Sequence, residues 1–403
     1  LIGVTYWLFG PDPRWVFLWN GVFGLGSLIL ILILATRWFG KPAALFSGVL
    51  YLLSGTILYY ELTLLRESLM VFITLLILLA FDVSRSRQVN SLPAWFFCGA
   101  VFGGSLLIKG IYPPLFLAYL AIWAVQNRSL GLAIFKPLLA CFLGGLLLLS
   151  PVIYRNVIVG TPPFQLSGGR ASTVVAFFNL PDLTEFPYDF YKSPLFLKAL
   201  DEKQNSFSAM LSETIANHGS TEAFLAFLWK KFLMIWSWYE IPDNTNLYYF
   251  QAYSKVLQFA PGSFLTLAPL GLMGIILALR QWTMIWPALL LTLFQVALMT
   301  AVFPISRYRL LLYPVFLITG GWTIQCLAEW SRQRMWTRVF TAMAGLFLMA
   351  FIMLRLPLPR PDQPRIHSGY TVAGFKTFYG PHLMAAEQTG NLDELTEGFS
   401  GFL

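Results

Sequence analysis

The sequence predicts an all-α polytopic membrane protein with about ten transmembrane helices, one long outward-facing insert and a short helical tail. Three observations carry this reading. Hydrophobic residues fill 57% of the 403 positions and charged residues only 11%, against about 45–50% and about 25% in soluble domains. Soluble cores stop growing near ~250–300 residues, so such an apolar excess needs lipid to cover it. The apolar residues also gather into runs long enough to cross a bilayer, which takes about 20 residues. One stretch only, 154–262, interrupts that pattern at length.

In chain order the runs are 14–36, 42–60, 64–83, 93–109, 111–126, 133–153, 263–279, 283–303, 308–328 and 336–355. The pair flanking Lys109-Gly110 is short enough for a broken or re-entrant path, which is tolerated only where backbone is buried in protein or lines a cavity. Four segments follow: an N-terminal bundle at 1–153, an extracytoplasmic insert at 154–262, a C-terminal bundle at 263–355, and an extracytoplasmic linker and tail at 356–403.

Alternating the loops places Arg37, Lys41, Arg85, Arg87, Arg128, Arg280, Arg332 and Arg334 on one face and Arg66, Lys109, Arg307 and Arg309 on the other. The richer face is cytoplasmic by the positive-inside rule, which leaves the insert and tail outside. The insert holds nine acidic and eight basic residues, so it can approach a membrane surface without a strong field. Its apolar, aromatic stretch from Ala223 to Trp238, around Lys230 and Lys231, reads as an interfacial helix. In the tail, Pro357, Pro359, Pro361 and Pro364 mark a linker. Beyond it, Phe378-Tyr379-Gly380 and Gly390 to Glu394 resemble a tetratricopeptide helix–turn–helix. One such unit needs neighbours. The tail is therefore either the start of a repeat array that could dock a protein partner, or a small amphipathic appendage.

Other classes fall away. The net charge of +8 is scattered singly through loops, the pattern of membrane anchoring and phosphate contacts rather than of a nucleic-acid stripe. Cys98, Cys141 and Cys326 lie inside apolar runs and offer no disulfide framework. His218, His367 and His382 lack metal-ligand spacing and read as solvated surface, and Gly168-Gly169 is too little for a phosphate loop. The chain opens on Leu1 without a signal-peptide pattern, and an N-terminally incomplete sequence is expected.

An ionisable residue at membrane depth is costly and calls for a function. Here such residues concentrate at the outer helix ends: Glu61, Arg66, Glu67, Lys109, Arg155 with Asn156, and Arg307-Tyr308-Arg309. Together they suggest an outward cavity for an anion. Arg offers bidentate, charge-assisted hydrogen bonds to phosphate oxygens and Lys a point charge. Each has a structural alternative: Glu67 paired with Arg66, Lys109 snorkelling to the surface, Arg155 and Asn156 capping a helix end. Glu240, Asp243 and Asn244 sit in a Pro-bearing turn, where they either cap backbone or meet an acceptor or a metal.

Five motifs in order carry a resemblance: Leu64-Leu65-Arg66-Glu67-Ser68-Leu69; Leu107-Ile108-Lys109-Gly110 with Pro113-Pro114; Pro151 to Arg155-Asn156 with Gly160; Tyr239 to Asn244; and Ser306-Arg307-Tyr308-Arg309. Across roughly 1–355 the chain resembles the dolichyl-phosphate-mannose–protein mannosyltransferase superfamily, the glycosyltransferases of C type. The resemblance implies transfer of a sugar from a polyprenyl-phosphate donor to a glycan, lipid or protein acceptor, with inversion and without nucleotide sugars. It implies a bacterial inner membrane with the active face outward. Glu67 and Glu61 then become catalytic candidates; Lys109, Arg155, Asn156, Arg307, Tyr308 and Arg309 donor-phosphate ligands; and Glu240, Asp243 and Asn244 acceptor or metal contacts. A divalent metal serves some members and not others. The aspartate base of this superfamily lies in the first outer loop, which this sequence is expected to lack. Two competitors are a catalytically silent scaffold subunit and a transporter of lipid-linked sugars, the latter disfavoured by the lack of an internal repeat.

Overall fold

A computed structural model describes residues 2–86, 91–166, 178–179, 207–241 and 247–357. Among them the regular structure is helical, with a single isolated bridge between Ser54 and Gly262. The helices are α1 Ile2–Phe9, α2 Arg14–Phe39, α3 Lys41–Leu52, α4 Gly55–Glu61, α5 Glu67–Ser86, α6 Leu92–Ile108, α7 Pro113–Gln126 and α8 Phe135–Ile158. In the insert lie α9 Phe207–Asn217, α10 Thr221–Ile235, α11 Leu247–Tyr253 and α12 Lys255–Phe259. The last are α13 Phe264–Ala278, α14 Trp282–Ala301, α15 Ser306–Arg309, α16 Tyr313–Arg332 and α17 Trp336–Arg355.

Among the described residues, six helical stretches are long and apolar enough to cross a membrane: Arg14–Phe39, Glu67–Ser86, Arg128–Ile158, Phe264–Ala301, Ser306–Arg332 and Trp336–Arg355. The protein is an integral, multi-pass membrane protein. Most expected runs appear as helices within a few residues of their sequence bounds. The run 42–60 divides at Leu53-Ser54 into α3 and α4, and α13 joins α14 through one 3-10 turn at Leu279–Gln281. The runs beside Lys109 form α6 and α7, of 17 and 14 residues, shorter than a full crossing. The proline linker and tetratricopeptide-like tail lie outside the described residues, apart from the chain up to Pro357.

Lipid gives helices no hydrophobic reason to associate, so close backbone approach must hold them together. Glycines supply it. A Cβ on Gly99 of α6 would collide with the carbonyl of Cys141 on α8, and one on Gly144 would strike the carbonyl of Phe96. Gly274 of α13 approaches the Thr319 carbonyl of α16 just as closely, and Thr319 and Thr323 donate to the carbonyls of Gly271 and Leu270 at 2.9 and 2.8 Å. The Ser306–Arg332 stretch is the centre of the fold, with 83% of its most apolar window buried against 17% for Arg128–Ile158 and 11% for Trp336–Arg355. Those two outer stretches turn Phe142, Leu147, Phe347 and Phe351 outward, toward lipid.

The break between α3 and α4 shapes one end of the bundle. Ser54 caps α4 by accepting from the Ile57 amide. Gly262 donates to the Leu53 carbonyl and accepts from the Gly55 amide, both at 3.0 Å. A Cβ at Gly262 would sit 2.7 Å from Ser54 Cα, so only glycine permits this contact. The insert's far end is thereby stitched to the segment that leads into α5. At the other end of α5, Asp82 accepts from Arg37, Arg85 and Trp38 at 2.7–3.2 Å and locks α2 to α5.

Candidate functional site

The chain between α4 and α5 turns sharply, and its backbone is held from α2. Asn20 donates its side-chain amide to the Thr63 carbonyl at 2.7 Å, while Thr63 and Ser68 hydroxyls donate to the Tyr60 carbonyl. That turn delivers Arg66 and Glu67 to one spot. Arg66 reaches across to the Ile108 carbonyl at 3.3 Å, beside Lys109 where α6 ends. Lys109 Nζ stands 4.2 Å from the centroid of the Tyr308 ring, and the Arg307 guanidinium 5.2 Å from the same ring. Gln295 of α14 fixes the Tyr308 backbone by donating to its carbonyl at 2.9 Å.

Asn20, Arg66, Glu67 and Arg307 border a cavity of about 690 Å³ between α2 and α5, with Lys109 and Tyr308 beside Arg307 but not in the lining. Arg66, Glu67, Arg307 and Asn20 form its polar end, and Trp19, Phe23, Leu64 and Leu65 its apolar wall. Glu67 is buried at 7% exposure, and its Oε2 has no hydrogen-bond partner. Its charged neighbours, strongest first, are Arg307, Lys109 and Arg66. Burial, reinforced by Arg66 and Arg307, pulls Lys109 down to about 8 against the opposing pull of Glu67. Among the described residues, Glu67 thus stands with Arg66, Lys109 and Arg307 around it.

The remaining expected residues take other places. Arg309 is fully buried and forms no part of this cavity. It binds Glu240 Oε2 at 2.6 Å and donates to the carbonyls of Ser237 and Tyr239 at 2.7 and 2.8 Å, with Phe264 stacked 4.0 Å away. Glu240 is equally enclosed. Its Oε2 also accepts from Ser306 at 2.8 Å, and its Oε1 accepts from Tyr313 at 3.0 Å and Thr56 at 3.3 Å. Arg309 and Glu240 thus form a clasp between insert and bundle, with Arg309 Nε buried and left without a hydrogen-bond partner.

Glu61 packs against Gly24 of α2 and accepts from the Tyr51 hydroxyl at 2.5 Å, one helical turn from the cavity-lining Asn20. Asn156 is buried and fastens the following loop, donating to the carbonyls of Pro163 and Gln165 at 3.2 and 2.9 Å. Arg155 beside it is exposed and does not line the cavity. The structure places both at the end of α8, away from this cavity. Asp243 and Asn244 lie outside the described residues. Sequence reasoning missed Asn20, whose polar amide inside an apolar run was a readable signal. It also missed that Lys231 faces inward at 2% exposure while Lys230 is exposed. His218 is not plain surface: its Nε2 pairs with the Asn179 carbonyl at 2.8 Å between Phe224 and Phe227. Among the described residues no group of three or more His, Cys, Asp or Glu side chains comes together that could hold a metal.

Residues 1–154 match the family model described as dolichyl-phosphate-mannose-protein mannosyltransferase. The match takes in α1 to α7 and most of α8, and with them Arg66, Glu67 and Lys109. No curated protein and no solved structure matches the chain. The N-terminal part thus carries the pattern of a membrane glycosyltransferase family, and Arg307, which also lines the cavity, comes from outside the matched region.

Proposed function

We propose that the protein transfers a sugar from a polyprenyl-phosphate donor to an acceptor on the extracytoplasmic side of a bacterial inner membrane, and that the cavity beside Glu67 is where transfer occurs. The observation that carries this is a buried carboxylate oxygen without a partner, lining an apolar cavity together with Arg66 and Arg307 and with Lys109 as a further charged neighbour. A buried carboxylate oxygen left without a hydrogen-bond donor is expensive, and a bound substrate would relieve that cost.

The chemistry follows from charge. A sugar-bearing lipid phosphodiester carries about one negative charge, and the monoester left behind about 1.5–2. Arg66, Lys109 and Arg307 are cations of the kind that hold phosphate oxygens, and the more highly charged product phosphate would be held more strongly than the donor. Preference for the more charged species stabilises the departing phosphate in the transition state. Glu67 Oε2 accepts the acceptor's hydroxyl proton as the hydroxyl oxygen bonds to the anomeric carbon. The bond between that carbon and the phosphate oxygen breaks, and the electron pair leaves with the lipid phosphate. The apolar wall of Trp19, Phe23, Leu64 and Leu65 suits the first isoprene units of the carrier.

The test is transfer by purified protein in proteoliposomes, using a labelled polyprenyl-phosphate sugar. Glu67→Gln and Arg307→Gln are each expected to lower the rate by about 10²-fold or more while leaving insertion and melting unchanged. Full activity in both variants refutes the assignment.

A further inference from the structure

Lys231 is the least expected charge in the insert. It sits on α10 at 2% exposure, in a helix otherwise apolar along that side, and among the described residues no carboxylate pairs with it. Its ammonium points instead at two neutral oxygens, the Phe178 carbonyl at 3.0 Å and Asn179 Oδ1 at 2.9 Å, with the Phe227 ring 5.1 Å away. Burying lysine without an acid is costly, and a methionine would fill the space at less cost. What the lysine holds is therefore informative.

It holds the root of the Arg307 loop. Asn179, gripped by Lys231 through its oxygen, donates its amide nitrogen to the Ala301 carbonyl at 2.9 Å, where α14 ends. Phe178 stacks on Phe303 with centroids 6.3 Å apart, and Phe303 is 1% exposed. On the far side of the same loop the Ser306 amide donates to the Ile241 carbonyl at 3.0 Å. The segment from Ala301 to Ser306 is thus pinned at both ends by the insert, and Arg307 and Tyr308 follow immediately.

We propose that Lys231 is a positioning residue: through Phe178 and Asn179 it sets the end of α14 and so the placement of Arg307 and Tyr308 at the cavity. This rests on the reading of Arg307 as a phosphate ligand. A misplacement of ~1 Å at a distance from the chemistry can cost up to about 10²-fold in rate, so loosening this strut should weaken substrate handling without unfolding the protein.

The experiment uses the full chain in lipid nanodiscs, with polyprenyl monophosphate as the binding probe, and compares wild type, Lys231→Met, Lys231→Arg and Arg307→Gln. Lys231→Met should retain its melting transition, exchange backbone amides faster over 301–309, and raise both the Kd for polyprenyl monophosphate and the donor KM by about ten-fold or more, with a smaller change in kcat. Lys231→Arg, which keeps the donors, should recover most of that loss. If Lys231→Met binds the probe and exchanges 301–309 as wild type does while Arg307→Gln loses binding, the strut is wrong and the cavity reading stands. If Arg307→Gln also binds normally, the cavity reading itself falls. Loss of fold in both Lys231 variants overturns the proposal too, because the residue would then hold the whole insert rather than one loop.

Discussion

Arg307 and Arg309 stand two residues apart on the same helical turn, and each faces a glutamate. Arg309 lies fully buried against Glu240, whose two oxygens accept from four side chains, and its own guanidinium also reaches the carbonyls of Ser237 and Tyr239. Arg307 is half-buried on a cavity wall near Glu67, whose Oε2 accepts from nothing. The same pair of residue types makes a rivet in one place and a receptive site in the other. Saturation is the difference. A buried carboxylate whose two oxygens are both bonded has little left to offer, whereas one with an unpartnered oxygen can still gain a hydrogen bond from a ligand.

The comparison breaks most visibly at the rivet. Arg309→Met leaves Glu240 buried with its charge uncompensated and should cost about 3–5 kcal/mol, read as a lost or strongly lowered unfolding transition in detergent. A well-folded Arg309→Met that fails only in phosphate binding would erase the distinction between the two arginines. Glu67→Gln is expected to do the reverse, lowering transfer by about 10²–10⁴ through loss of the proton acceptor with its melting transition kept or raised. Arg307→Gln should reduce transfer by about 10²–10³, again at constant stability.

Two pH profiles sharpen the picture further. Lys109 is held at about 8 by burial and by its cationic neighbours, so it supports anion binding while protonated. Transfer should fall as pH rises through that value, and Lys109→Arg should remove the fall. Lys231 is brought to about 7 by burial alone. Its unfolded counterpart titrates near 10.4, so between the two values the unfolded chain binds more protons and stability rises with pH. The penalty for burying the charge is full below about pH 7 and is relieved on the way to about pH 10. Wild type should therefore gain in melting temperature relative to Lys231→Met as the buffer moves from about pH 7 to about pH 9. The smallest effect is expected at Arg155→Ala, an exposed change within about ±0.5 kcal/mol of wild type that should leave transfer unaltered.

Much of this was legible in the amino-acid order. Runs of apolar residues must become helices in lipid, because no other backbone arrangement there satisfies its own hydrogen bonds except a closed barrel. The gathering of Glu67, Lys109 and Arg307 at helix ends of one face was readable for the same reason: a charge at that depth has few other uses. Tertiary structure alone decided which charges look into the cavity and which are locked away. Arg307 and Arg309, or Lys230 and Lys231, are neighbours of identical chemistry in sequence. A helix turns about 100° per residue, so adjacent side chains face different surroundings, and only the packed neighbours fix whether each surrounding is lipid, water, a carbonyl or an empty site. The glycine contacts between α6 and α8 and the Ser54–Gly262 stitch belong to that second kind of information, since they bring together residues far apart along the chain.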